Sequence, residues 1–174
     1  MTPRAILVGL PGTGKTTAGR CLAERLGVAF ADSDDLVEQR VGRGVGAIFE
    51  WDGEAAFRVT EAEVIAAALA DFHGVLALGG GAVLTARTRA ALTRSSAPVV
   101  LLRAQLSTLS ARVGQAQDRP LLSDDPPSRL AALAEERQLF YDIVATAVVD
   151  TDGRTVEGVA AYIDRALAEL VGHP

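Results

Sequence analysis

Apolar residues fall along this chain in two rhythms. Short apolar runs at 5–8, 28–31, 75–78, 98–102 and 146–150 have the length and composition of buried strands. Between them, apolar positions recur every three or four residues over 17–26, 54–70, 85–94, 106–113, 128–141 and 156–171, the period of amphipathic helices. The last of these patterns puts Val156, Val159, Ile163, Leu167 and Leu170 on one stripe, and Gly27 closes the first. Strands alternating with helices predict an α/β protein. Its sheet is expected to be parallel and covered on both faces, with ligands bound outside the carboxyl ends of the strands. The segment 114–127 breaks the alternation: it is polar and turn-rich, and ends in Asp124-Asp125-Pro126-Pro127. It is long enough to form a mobile lid, where the plain alternative is a surface loop.

With 174 residues, 49% of them hydrophobic, the chain can fill one core and is expected to form a single domain over 1–174. A net charge of −5 argues against nucleic acid or an anionic membrane as partner, while leaving small anionic ligands open. Cys21 is the only cysteine, so no intramolecular disulfide can form, and its place in a helix pattern suits a small buried hydrophobe. The first strand pattern begins at residue 5, and no apolar run reaches membrane-spanning length, so a cytoplasmic location is expected. His73 and His173 fall in unrelated places, which gives no sign of a metal cluster.

Lys15 is the only lysine; the other sixteen basic residues are arginines. It stands in Gly9-Leu10-Pro11-Gly12-Thr13-Gly14-Lys15-Thr16, a complete G-x-x-x-x-G-K-[ST] motif lying between the first strand and first helix patterns. A compact ammonium on a flexible stem suits a crowded triphosphate site. Backbone N–H groups from Gly12, Thr13, Gly14, Lys15 and Thr16 are expected to wrap a β-phosphate, with Lys15 neutralising β- and γ-oxygens and Thr16 holding Mg2+. Thr17 follows at the start of the helix. ATP and Mg2+ are therefore the expected co-substrate and cofactor.

The second strand runs into Asp32-Ser33-Asp34. An extended backbone there would put both carboxylates on one side, so that one supports hydrated Mg2+ beside Thr16 and the other takes a hydrogen bond from a substrate hydroxyl. Helix capping explains one of them equally well. Asp32 is assigned to the metal, because the third strand runs into glycine rather than the aspartate often found in phosphate-loop enzymes. In Phe57-Arg58-x-x-Glu61, Arg58 and Glu61 lie one helical turn apart, which suits either an oriented guanidinium or an ordinary surface pair. Leu78-Gly79-Gly80-Gly81-Ala82 permits close approach to backbone at the functional edge of the sheet. Trp51 is expected to pack in the core or at its rim near 32–57, the alternative being contact with substrate.

These motifs, with Arg119-Pro120-Leu121-Leu122 and Arg137, follow one another in the order found in shikimate kinases, which the chain resembles over nearly its whole length. The resemblance implies a three-layer αβα fold of the nucleoside-monophosphate-kinase type, with a five-stranded parallel sheet and a mobile lid. It implies transfer of the ATP γ-phosphoryl group to the 3-hydroxyl of shikimate, in the pathway to chorismate and the aromatic amino acids. The acceptor-binding region would span about 32–62 and the lid about 114–127. It further implies that Asp34 binds the acceptor hydroxyl and acts as base, that Arg58 and Arg137 grip the shikimate carboxylate, and that Gly80 and Gly81 offer backbone contacts. Glu61 would orient Arg58. Arg119 would swing from the lid onto the phosphates, and Arg112 resembles an adenine-stacking arginine. The loop Asp152-Gly153-Arg154-Thr155-Val156 departs from the family's usual adenine loop, and Arg154 is its candidate nucleotide contact. A monomer is expected. The alternatives are a related kinase acting on another acceptor such as gluconate, or a nucleotide-dependent binding or switch protein.

Overall fold

The computed structural model describes residues 2–114 and 126–171. Within them lies a parallel sheet of five strands, β1 Ala5–Val8, β2 Ala29–Asp32, β3 Gly74–Ala77, β4 Val99–Arg103 and β5 Ala147–Asp150. Their order is β2-β3-β1-β4-β5. The helices are α1 Lys15–Leu26, α2 Ser33–Val41, α3 Val45–Trp51, α4 Gly53–Asp71, α5 Ala86–Arg94, α6 Leu106–Gly114, α7 Pro126–Val144 and α8 Val156–Val171. The three-layer αβα architecture implied by the motifs is thus present.

Alternation along each strand decides which layer a residue serves. In β1, Ile6 and Val8 face one side, where α4, α5 and α7 contribute Ile65, Leu69, Leu92, Tyr141 and Val144. Ala5 and Leu7 face the other, against Ala18 and Leu22 of α1 and Val159, Ile163 and Leu167 of α8. β1 pairs with β3 on one flank and β4 on the other, Ile6 standing opposite Leu76 and Val99. The chain leaves β1 toward β2 and β3 and later crosses to β4 and β5. Its topological switch point is therefore the carboxyl end of β1, where ligands of such sheets bind.

Two elements differ from the sequence expectation. The backbone is not extended across 32–34: Asp32 ends β2 and caps α2, its Oδ1 accepting the Asp34 N–H at 3.1 Å. A strand passes into a helix there without an intervening loop, so alternation stops at Asp32. α2 and α3 are short, and glycines 42, 44 and 46 interrupt any longer helical period. They form a small satellite core with α4, built on Val37, Ile48, Phe57 and Val64. Trp51 is not packed in it. It is 69% exposed, with the Arg43 guanidinium 5.4 Å from its ring centre. At the expected lid, residues 126–127 already belong to α7, while 115–125, including Arg119, lie outside the described residues.

Candidate active site

The loop between β1 and α1 follows from its glycines. Gly14 caps α1 with φ 86°, a left-handed backbone that glycine adopts without steric cost. The helix N-terminus consequently opens onto a cleft of about 240 Å3 lined by Gly12, Gly14, Lys15, Thr16, Thr17 and Arg112. Thr13 is buried and braces the loop, its hydroxyl donating to Leu10 O at 2.8 Å. Lys15 Nζ donates to Gly9 O and Leu10 O at 2.8 and 3.0 Å, which holds the ammonium over the loop. The helix N-terminus with its outward N–H groups, its positive dipole end and one lysine together make an anion site.

Asp32 serves this cleft with the oxygen that capping leaves over: Thr16 Oγ1 donates to Asp32 Oδ2 at 2.9 Å. A hydroxyl and a carboxylate side by side at a phosphate site are hard oxygen donors suited to a hydrated Mg2+. Asp34 stands behind them. Burial, and next the charge of Asp32, push its carboxyl up to about 6, while Lys15 and Arg58 pull it down.

The acceptor candidates converge on the glycine triplet. A Cβ on Gly79 would lie 2.7 Å from Asp34 Oδ1 and 2.9 Å from Glu61 Oε1. One on Gly81 would overlap the Arg58 guanidinium, 2.6 Å from its Cζ, and one on Gly80 would lie 3.4 Å from Arg137 Nη1. Residues 34, 58, 61 and 137 therefore meet against bare backbone at the carboxyl end of β3. Arg58 Nη1 donates to Glu61 Oε2 at 2.7 Å, and Nη2 and Nε reach Glu54 Oε1 at 3.2 and 3.3 Å. Burial alone would lower the Arg58 guanidinium, and these carboxylates more than reverse it. Glu61 is fully buried, and burial pushes its carboxyl up to about 7 against the pull of Arg58. Its Oε1 has no hydrogen-bond partner among the described residues, and neither has Arg137 Nε, which lies 3.6 Å from Glu136 Oε2. Arg137 is 7% exposed.

The nucleotide-side candidates divide. Arg112 ties the phosphate loop to the turn after β5: Nη1 donates to Gly12 O and Thr151 Oγ1, and Nη2 to Thr151 O, at 3.0 to 3.2 Å. Arg154 turns to the protein instead, its guanidinium 3.8 Å from the Tyr162 ring centre and its Nε donating to Asp150 O. Asp152 accepts the Gln105 N–H at 2.9 Å, and hydrogen bonds from Thr108 and Gln105 hold its carboxyl below the usual value.

Two residues of the site carried no warning in the chain. Ser33, fully buried, accepts the Gly79 N–H at 2.8 Å, and Tyr141, 2% exposed, donates to Gly80 O at 2.6 Å. Each reaches the triplet from a distant segment. Only the four-residue spacing of Tyr141 from Arg137 on one helix hinted at a shared face.

A family model described as "Shikimate kinase" matches residues 11–168. The shikimate kinase of Salinispora arenicola (strain CNS-205) is 49% identical over 168 residues, covering 97% of this chain and 99% of that protein. The shikimate kinase of Thermobifida fusca (strain YX) is 48% identical over 165 residues, 95% of each chain. Among solved structures, the shikimate kinase from Acinetobacter baumannii in complex with shikimate superposes with a TM-score of 0.90 at 34% identity, covering 98% of this chain and 94% of that one.

Proposed function

The chain belongs to the shikimate kinase family, and from that membership we propose that it transfers the γ-phosphoryl group of ATP to the 3-hydroxyl of shikimate, giving ADP and shikimate 3-phosphate. The observation that carries this reading is the meeting of Asp34, Arg58 and Arg137 on the glycine triplet, next to the phosphate loop. Two guanidiniums match a planar carboxylate, and a carboxylate beyond them matches a hydroxyl about to lose its proton.

In this reading Lys15 and the N–H groups of 12–16 hold the β- and γ-phosphates. Thr16 and Asp32 would hold Mg2+, which would supply positive charge to offset that of the phosphates. Arg58 and Arg137 grip the acceptor carboxylate, and Glu61 keeps Arg58 aimed. Asp34 accepts the acceptor's hydroxyl proton as the O–P bond forms and the bond to ADP breaks. With no covalent intermediate, catalysis rests on in-line positioning and charge neutralisation. Arg112 lines the nucleotide cleft, and Arg119 is assigned to the transferring phosphoryl group through the family alone.

ADP release from Mg-ATP, measured with and without shikimate and paired with direct detection of shikimate 3-phosphate, tests the reading. Shikimate-dependent release with that product supports it. Release without shikimate, or with gluconate alone, points to another acceptor or to simple ATP hydrolysis, and overturns it.

A further inference from the structure

The carbonyls of the glycine triplet are all taken up inside the fold, but not in the same way. Gly79 O accepts the Ala82 N–H and Gly81 O the Leu84 N–H, each at 3.0 Å, as parts of the turn that follows β3. Gly80 O is held by a side chain, the Tyr141 hydroxyl at 2.6 Å. At the other end, the Gly79 N–H is held by Ser33 Oγ. Among the described residues no group within the chain takes up the N–H of Gly80 or of Gly81.

The direction of each bond follows from chemistry. The Arg137 guanidinium reaches the same place: its Nη1 lies 3.4 Å from where a Cβ on Gly80 would stand, and its charge acts on the Tyr141 oxygen. A guanidinium has no acceptor capacity, so it can only donate there. The single phenolic proton goes to Gly80 O. A cation on the oxygen polarises the O–H and strengthens that donation. The peptide joining Gly80 to Gly81 is trans, so its N–H points away from its C=O. Pinning Gly80 O toward α7 therefore aims the Gly81 N–H to the opposite side. The same phenol stands within the electrostatic reach of the guanidinium one turn earlier on α7.

We propose that Tyr141, assisted by Ser33, is a positioning residue for the acceptor, locking the glycine triplet and Arg137 into one geometry so that backbone N–H groups and guanidinium address the same ligand. This rests on the reading of the site as a shikimate site. Tyr141 touches no reacting atom in this assignment; it acts through Gly80 and Arg137. Its ring belongs to the core beside Leu78, Ala82 and Val144, so Tyr141→Phe deletes the oxygen while keeping most of the packing.

The test is steady-state kinetics and thermal melting of Tyr141→Phe, Ser33→Ala, Arg137→Ala and the double variant Tyr141→Phe/Arg137→Ala, beside the unaltered chain. Loss of a hydrogen bond to a charged, substrate-gripping group should raise the KM for shikimate about 5- to 50-fold. The KM for ATP should stay within about twofold, because the hydroxyl that Tyr141→Phe removes donates to Gly80 and not to the phosphate loop. Adding Tyr141→Phe to Arg137→Ala should cost much less than it does alone, since the two act through one oxygen. A Tyr141→Phe variant with a lowered Tm but an unchanged KM for shikimate would reduce Tyr141 to a structural residue and overturn the proposal, as would full additivity with Arg137→Ala. If Tyr141→Phe does not fold, Ser33→Ala decides: a raised KM for shikimate supports the proposal and an unchanged one overturns it. An unaltered chain that fails to phosphorylate shikimate removes the underlying reading and this proposal with it. Normal turnover with unshifted variants removes only the proposal.

Discussion

The Arg58 guanidinium lies against the backbone of Gly81, so close that a single methyl group on that glycine would overlap it. Gly81 has φ −96°, an angle alanine also adopts, so the glycine is required by the neighbour rather than by the backbone. Arg58 is the free end of a long side chain and can swing aside. Gly81→Ala should therefore leave Tm within a few degrees while displacing the guanidinium from Glu61. We expect the KM for shikimate to rise about tenfold or more with the KM for ATP unchanged. A crystal structure of the variant would show where the guanidinium has moved. Wild-type kinetics would mean that Arg58 does not need this seat.

Removing either guanidinium outright should act on the acceptor alone. Arg58→Ala and Arg137→Ala should each raise the KM for shikimate about 30-fold or more, the scale of losing charge-assisted hydrogen bonds to a carboxylate. ATP binding, measured by calorimetry, should stay near that of the unaltered chain. Arg58→Lys should recover little, because one ammonium cannot reproduce the planar fork that reaches Glu61 and Glu54 from the same side chain. Unchanged shikimate kinetics in both alanine variants would remove the carboxylate clamp.

How much of this was legible depends on whether a feature is local. The phosphate loop is one contiguous motif flanked by the strand and helix it needs, and it is found there. The pattern for α8 coincides with Val156–Val171, and the five strands lie within one residue of their apolar runs at either end. α2 was hidden because Asp32 is at once strand end and helix cap. Trp51 was misread because a large aromatic ordinarily buries its ring, whereas here it lies outside the satellite core built on Phe57. The convergence of Asp34, Arg58, Glu61 and Arg137 on Gly79 to Gly81 was visible only through resemblance to a family. No period within one chain encodes contacts between segments so far apart. Tyr141 and Ser33 escaped even that route, each being an ordinary residue whose single polar atom matters through what it holds.

Asp32 has two duties on two oxygens, and substitution can separate them. Asparagine caps a helix about as well as aspartate, so Asp32→Asn should keep the bond to the Asp34 N–H and change Tm little. Asp32→Ala loses the cap as well and should cost about 1 kcal/mol of stability. Both remove the charge beside Thr16, and both should raise the Mg2+ concentration needed for half-maximal turnover about tenfold or more. Chelating Mg2+ should stop turnover in the unaltered chain. Magnesium titration of activity beside thermal melts reads the two duties apart, and an unchanged Mg2+ requirement in both variants would leave Asp32 as a cap alone.

The carboxyl of Asp34 has opposite consequences for stability and for turnover. Its folded value of about 6 lies above its ordinary 3.8, so the folded chain binds this proton more tightly than the unfolded chain does. The stabilisation that goes with the proton is complete below about pH 4 and is lost as pH rises through about 6. At pH 8 the buried anion is a burden, and Asp34→Asn should melt several degrees above the unaltered chain there, with the difference vanishing near pH 4. Activity runs the other way, because a protonated carboxyl cannot accept the hydroxyl proton. In the unaltered chain kcat/KM for shikimate should fall about tenfold per pH unit below about 6, and Asp34→Asn should be nearly inactive throughout. An Asp34→Asn variant whose advantage over the unaltered chain is no larger at pH 8 than at pH 4 would show that burial does not strain this carboxylate. A flat kcat/KM profile between pH 5 and pH 7 in the unaltered chain would remove Asp34 as the base, since the geometry offers the acceptor hydroxyl a carboxylate whose protonation must be felt in that range.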